Sequence, residues 1–231
     1  MRVGQRGIGM LDALFGIVFL GIVLGFALSM MQNNQQESEG RAEADVLSSF
    51  IQLSTQYVSS NRTAMESAMD GTGASTYCLI GVAADGTGGT TVSDTTLRTC
   101  GFDASFLRKQ GLWPTGMPVD FEDGRYVAVW RKVYNGSTAT GAIEAVIVHA
   151  STSGALTAVS PGDQAARNTK LASGMEAMGG TGGYVPIGDM VACKTERSSS
   201  TFEVCGNSWK VNLANFISPA QLATFANALP N

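Results

Sequence analysis

Apolar residues run almost unbroken from Ile8 to Met31, 24 residues in which Asp12 is the single charge. As a helix this stretch would be ~36 Å long at ~1.5 Å per residue, enough to cross the ~30 Å hydrocarbon core of a bilayer. The helical pattern does not end there. From Ala42 onward Val46, Phe50, Leu53 and Tyr57 recur at helical spacing, with Leu47, Ile51 and Val58 beside them, and no proline occurs before Pro114. The spacing predicts one helix from about Leu11 to Ser60, within a segment 8–60. Its first half is apolar all round, and its second half is amphipathic and buries one stripe against a head.

The head, 61–231, reads differently. Asn61–Thr76 is polar and ends in glycines, a connecting loop. Tyr77–Val82 is a short strand candidate, followed by a Gly/Thr-rich loop over 84–95. Asp103 is placed to cap a short helix, Ala104–Gln110, that Gly111 ends. A turn-rich segment follows to Pro118. Arg125–Tyr134 then alternates, with Tyr126, Ala128 and Trp130 on one face and Val127, Val129 and Val133 on the other. Asn135-Gly136 is a turn signal and Ala142–Ala150 is the partner strand, which makes the strongest hairpin in the chain. Ser160-Pro161 starts a helix to about Met178, with Asp163 at a capping-box-like position. Tyr184–Ile187 and Ser208–Leu213 are further strands, and Ser218-Pro219 opens a short terminal helix. The fold class is α+β: one long N-terminal helix packed on an antiparallel sheet, with smaller helices at the rim.

Composition narrows the partners. The chain has 231 residues, 44% apolar and 15% charged, with a net charge of −4 and a pI near 5.0. That balance argues against nucleic acid, whose binders present a basic face. The four cysteines, Cys78, Cys100, Cys193 and Cys205, are spaced too widely for zinc knuckles, and one histidine adds little. In an exported chain they read as two disulfides. Three connectivities are open; the local one, Cys78 with Cys100 and Cys193 with Cys205, staples two strand-loop units. Each such bridge contributes roughly 3 kcal/mol.

The N-terminus carries the candidate chemistry. Arg2 and Arg6 precede the apolar run and Glu37 and Glu39 follow it, an asymmetry that sets the basic flank inside. A carboxylate within an apolar helix is costly, so Asp12 calls for a partner or a role. Two other readings of this segment stay open: a signal peptide cut near Ala27-Leu28-Ser29, or a plain membrane anchor with Asp12 near the headgroups. Gly21 and Gly25 form a small-xxx-small pair for close helix packing.

Arg6-Gly7-Ile8-Gly9-Met10-Leu11-Asp12 resembles the class III leader junction of type IV prepilins. The resemblance implies that residues 1–7 are a leader, cut after Gly7 by a prepilin peptidase. Ile8 becomes the new N-terminus and Asp12 stands at the fifth mature position, where it pairs with a neighbouring subunit's amine. The usual acid there is Glu. Leu107-Arg108-Lys109-Gln110-Gly111-Leu112-Trp113-Pro114 is similar to a segment of type IVb minor pilins. Gly179-Gly180-Thr181-Gly182-Gly183-Tyr184-Val185, with Trp209-Lys210-Val211, resembles the constant N-terminal region of tip pilins of the PilV type. The type IV pilin fold is then expected. So is a role as a minor or tip subunit of a type IVb pilus in conjugation or adhesion, with a type II secretion pseudopilin or a membrane-anchored periplasmic binding domain as alternatives. The implied partners are other pilin subunits, a prepilin peptidase, an inner-membrane assembly platform and the lipid bilayer. The implied location is single-pass in the inner membrane with a periplasmic head, then the extracellular pilus. The chain ends soon after the constant-like part, so receptor recognition is not carried over.

Enzyme chemistry finds little support. His149, the only histidine, ends an apolar strand; no Gly-x-Ser-x-Gly elbow occurs; and the Gly-rich runs lead into no Gly-Lys-Ser/Thr. Asp120, Glu122 and Asp123 lack the spacing of a known Ca²⁺ loop and read as a solvated turn. Trp113 and Trp130 are assigned to the core. No cofactor, metal or catalytic residue is expected.

Overall fold

The computed structural model describes residues 8–121, 124–151, 161–184, 203–206 and 209–218. It is α+β, a long N-terminal helix with antiparallel sheets.

Helix α1 runs over Ile8–Met69, 62 residues, and its backbone leaves helical geometry only at Asn61 (φ −119°, ψ 19°). The Asn61 side chain donates to the Tyr57 carbonyl (3.0 Å), so the interrupted turn keeps a donor. The expected end near Ser60 is therefore a break, not a terminus. The segment read as a connecting loop instead continues the helix, because Met65, Ala68 and Met69 supply an i, i+3, i+4 stripe that is buried in the head. Its true end is at Gly71. With φ +72°, Gly71 donates to the Ala68 carbonyl and Thr72 donates to that of Ser67. This paired closure satisfies two orphan carbonyls and needs a residue without Cβ at the left-handed position.

A 3₁₀ turn (Ser75–Tyr77) leads into β1 (Leu79–Ile80), which pairs with β2 (Thr90–Thr91). The main sheet has five strands: β3 (Ser93–Asp94), β4 (Thr99–Asp103), β5 (Asp120–Phe121), β6 (Gly124–Asn135) and β7 (Thr138–Ser151). The expected hairpin is β6–β7, longer at both ends than its alternating core. β4 lies along the other edge of β6, with Cys100 opposite Trp130 and Phe102 opposite Ala128. Every β4 residue is buried. Helix α2 (Ala104–Lys109) follows directly, and the Asp103 carboxylate accepts from the Phe106 amide (2.9 Å), the expected cap.

The two faces of β6 bury different partners, as its alternation requires. Tyr126 and Ala128 join Phe50, Tyr57, Met65, Phe102, Phe106 and Trp113 in the core between sheet and α1. Val127 and Val129 face the opposite way, into a second core with Val92, Val148, Leu213, Phe216 and Ile217. The sheet is thus covered on both sides. Cys78 and Cys100 form a disulfide with Cα atoms 5.1 Å apart, tying the start of β1 to β4 inside the first core. Cys193 lies outside the described residues, so the second expected bridge has no structural account here.

Helix α3 (Pro161–Ala177) occupies the predicted span and crosses α1. A small sheet of β8 (Gly183–Tyr184), β9 (Glu203–Gly206) and β10 (Lys210–Asn212) follows, with Cys205 of β9 opposite Lys210 and Tyr184. Of the expected strands Tyr184–Ile187 and Ser208–Leu213, Tyr184 and Lys210–Asn212 are strand while 185–187 and Ser208 lie outside the described residues, as does most of the expected terminal helix.

One expectation is corrected. Among the described residues no helix is long and apolar enough to cross a membrane. Past Met31, α1 turns to Gln32, Asn33, Asn34, Gln35 and Gln36, then Glu37, Glu39 and Arg41, so the helix beyond that point adds no apolar length. The single-pass inner-membrane location is withdrawn.

Candidate functional site

The candidate surface is the stretch of α1 before the head takes hold of it. Leu24, Leu28, Met30 and Met31 are 53–68% exposed, the large apolar side chains exposed among the described residues. Leu24, Leu28 and Met31 follow i, i+4, i+7 and share one helical face, and Met30 lies about a third of a turn away from it. Ser29 and Gln32 to Gln35 are exposed too, so the helix projects with solvent around it. Large apolar side chains grouped in this way mark a surface for association rather than for chemistry.

Gly40 marks the root of the projection and is the first buried position among the described residues. A Cβ on Gly40 would stand 2.2 Å from Ser173 Oγ and 2.3 Å from the Lys170 carbonyl; one on Gly174 would stand 3.1 Å from the Gly40 carbonyl. The helices therefore touch backbone to backbone. Glycine inside a helix costs about 1 kcal/mol against alanine, and here the missing Cβ is what allows the crossing. Ser173 Oγ donates to the Lys170 carbonyl (2.9 Å), the usual local partner of a helical serine. One turn further, Glu43 takes an ion pair from Lys170 Nζ (3.2 Å) and a hydrogen bond from the Tyr126 hydroxyl (3.1 Å). α1, α3 and β6 thus meet at one carboxylate.

The far end of α1 is fixed by a second ionic group. Asp70 accepts from Lys132 Nζ (2.5 Å) and the Tyr134 hydroxyl (3.3 Å), with Arg98 3.9 Å away. The Lys132 hydrogen bond holds the Asp70 carboxyl below its usual range, aided by the lysine charge and Tyr134. The Arg98 guanidinium stacks 3.8 Å from the Tyr134 ring centroid. Between these ends, burial pushes the Tyr57 phenol up, with Tyr77 adding to the shift.

The residues predicted to act are distributed as follows. Gly7 lies outside the described residues. Ile8 opens α1, and Asp12 stands one turn later on the same side of the helical backbone. Gly21 and Gly25 lie in uninterrupted helix. His149 sits opposite Tyr126 in the β6–β7 ladder. Asp120 is ion-paired with Arg125 (3.3 Å), which also reaches the buried Asp103 (3.3 Å). Asp103 further accepts from the Gly81 amide (2.7 Å) and the Ser105 hydroxyl (2.6 Å), which makes it the junction of β1, β4 and α2. Trp113 is buried and donates to the Pro118 carbonyl (3.1 Å); Trp130 is half-buried.

Sequence reasoning missed Gly40, Glu43 and Lys170. A lone glycine amid charged residues in mid-helix was the available signal for a close crossing, but nothing in the sequence names the partner helix. No family model, curated protein or solved structure matches the chain.

Proposed function

We propose that this chain is a filament subunit of the type IV pilin kind, with the type IV pilin fold, in which α1 is the assembly element. The carrying observation is the division of α1: an apolar stretch that projects and a second half built into the head. A helix so divided meets other copies through its projection and keeps its head as an independent unit. The leader-like Arg6-Gly7-Ile8 junction supports processing by a prepilin peptidase, which makes Ile8 the N-terminus. Ile8 and Asp12 lie one helical turn apart, and on this reading Asp12 balances the amine of a neighbouring subunit, two charges that are costly apart in an apolar surround. The body motifs around Gly111-Leu112-Trp113-Pro114 and Gly179–Tyr184 favour a minor or tip subunit of the type IVb class, serving conjugation or adhesion.

The test is direct. Chain co-produced with a prepilin peptidase and pilins of the type IVb class should begin at Ile8 by mass spectrometry and appear in sheared filaments. The double variant Leu28→Glu, Met31→Glu should keep the melting temperature of the head and drop out of the filament fraction. An intact Met1, or normal incorporation of the charged variant, would sink the reading.

A further inference from the structure

We propose that β7 is a self-docking edge, to which a second copy of this chain adds its own β7 antiparallel across a two-fold axis. β7 has 14 residues and, among the described residues, pairs only with β6. Along Val146–Val148 both faces of its sheet are packed, one against the α1 core and the other against the core with the Leu213–Ile217 segment, whereas Thr138–Ala142 and Ala145 are exposed. Among the described residues the outer rim of β7 is the longest edge by which the sheet can grow. A strand edge presents a row of backbone donors and acceptors that another strand can satisfy.

Edges that must stay single are usually guarded by lysine, proline or a bulge. β7 contains no Lys, Arg or Pro. Its ladder irregularity falls near the hairpin tip, between Lys132 and Tyr134, and Ile143–Ser151 pairs with Gly124–Lys132 without a shift. The single charge is Glu144, and Arg131 of the same sheet holds it through Nε (2.6 Å) and Nη2. The rim is therefore long, regular and electrically balanced, although the whole chain carries −4.

Length and charge select the occupant. β1, β2, β3, β5 and β8 have two residues each and β10 has three, so among the described strand edges only another β7 matches. Two identical strands paired antiparallel are related by a two-fold, which closes on itself as a dimer. Near the centre of such a pair each Glu144 keeps its own Arg131, and no unpaired like charges oppose each other. Size sets the strength. At ~3.3 Å per residue and ~10 Å of sheet depth, the contact buries on the order of 900 Å² in total, below the ~1,200 Å² of stable complexes. The dimer is thus weak and concentration-dependent. It rests on the sheet geometry alone, independent of the filament reading.

Ala142 and Ala145 are exposed on β7, which gives the test its sites. The full chain is studied in a non-ionic detergent that keeps the Leu24–Met31 surface from associating. Ala142→Cys and Ala145→Cys, mildly oxidised, should form disulfide dimers several-fold faster than Thr115→Cys in the exposed loop after α2. Sedimentation should show a dimer fraction that rises with concentration and is lost in Ala145→Lys, with the melting temperature unchanged. If Ala145→Lys unfolds the head, Thr140→Lys at the exposed tip-side of the same strand gives the second measurement. Cross-linking no faster than at Thr115, or self-association indifferent to lysine on β7, overturns the proposal.

Discussion

The two halves of α1 share one backbone and differ in almost everything else. From Leu24 to Gln35 every described side chain is exposed, whereas Phe50, Tyr57, Met65 and Met69 are at most 3% exposed. Leucine and methionine stand on both sides of that divide, so residue type does not separate the halves. What separates them is whether the fold supplies a complementary surface. In the second half, Phe50 meets Trp113 edge-on at 5.9 Å, and Tyr57 meets Phe102 and Phe106 edge-on at 5.1 and 5.3 Å. The first half has no such surface among the described residues, and Leu24, Leu28, Met30 and Met31 stay exposed.

The sharpest way to break this comparison is to truncate one side chain on each side. Phe50→Ala should destabilise the head by about 3–5 kcal/mol, because the cavity left between two rings cannot collapse. Leu28→Ala should change it by less than about 0.5 kcal/mol, as surface substitutions do. Urea unfolding followed by tryptophan fluorescence checks both. Equal effects would mean that the projecting half is packed in solution.

Reducing or replacing the bridge comes next. Cys78→Ser with Cys100→Ser should cost roughly 3 kcal/mol, the loop-closure value for a sequence separation of 22. Hydrogen exchange should then rise in β1 and β4 and stay unchanged before Gly40.

Gly40→Val probes the boundary itself. The added atoms have no room beside Ser173 and the Lys170 carbonyl, and overpacking of this kind costs about 1–3 kcal/mol. The loss should appear as faster hydrogen exchange in α3, with the Phe50–Trp113 core protected as before.

Acid titration should give the smallest effect. The carboxyl of Asp70 is lowered in the folded chain, so its contribution is fully present above the ordinary carboxylate range. It fades as pH falls through the lower folded value. The melting temperature should hold steady above about pH 5 and decline below about pH 4. Asp70→Asn should flatten the part of that decline due to this group, a modest part because the group is one-third exposed. An unchanged acid limb would remove Asp70 from the account.

Much of the architecture was legible in local patterns. The period-3.6 stripe Val46–Tyr57, the alternation Arg125–Tyr134, the Asn135-Gly136 turn, the Asp103 cap and the Pro161 helix start each depend on neighbours in sequence, and each appears. β4 was not legible. Thr99-Cys100-Gly101-Phe102-Asp103 neither alternates nor forms an apolar run, and it is a strand because β6 pairs along its edge, the α1 core takes Cys100 and Phe102, and Val92 lies over Gly101. The tail of α1 was missed for a related reason. Three apolar residues scattered among serines, threonines and charges carry a stripe only if a core waits beneath them. The candidate surface was visible as an apolar run. Its root was not, since the Gly40–Gly174 crossing and the Glu43–Lys170–Tyr126 junction join residues 83 to 134 positions apart.

The break at Asn61 has a mechanical corollary. Suppose tension is applied to the projecting half of α1 along its axis. The load enters the head at Gly40 and must leave the helix sideways, as shear across the side-on rings of Phe50 and Tyr57, before it reaches Asn61. Those rings hand it to Trp113, Phe102 and Phe106, and so to β4 and its covalent tie to β1. The one non-helical residue of a 62-residue helix thus lies beyond the rings that take up the load.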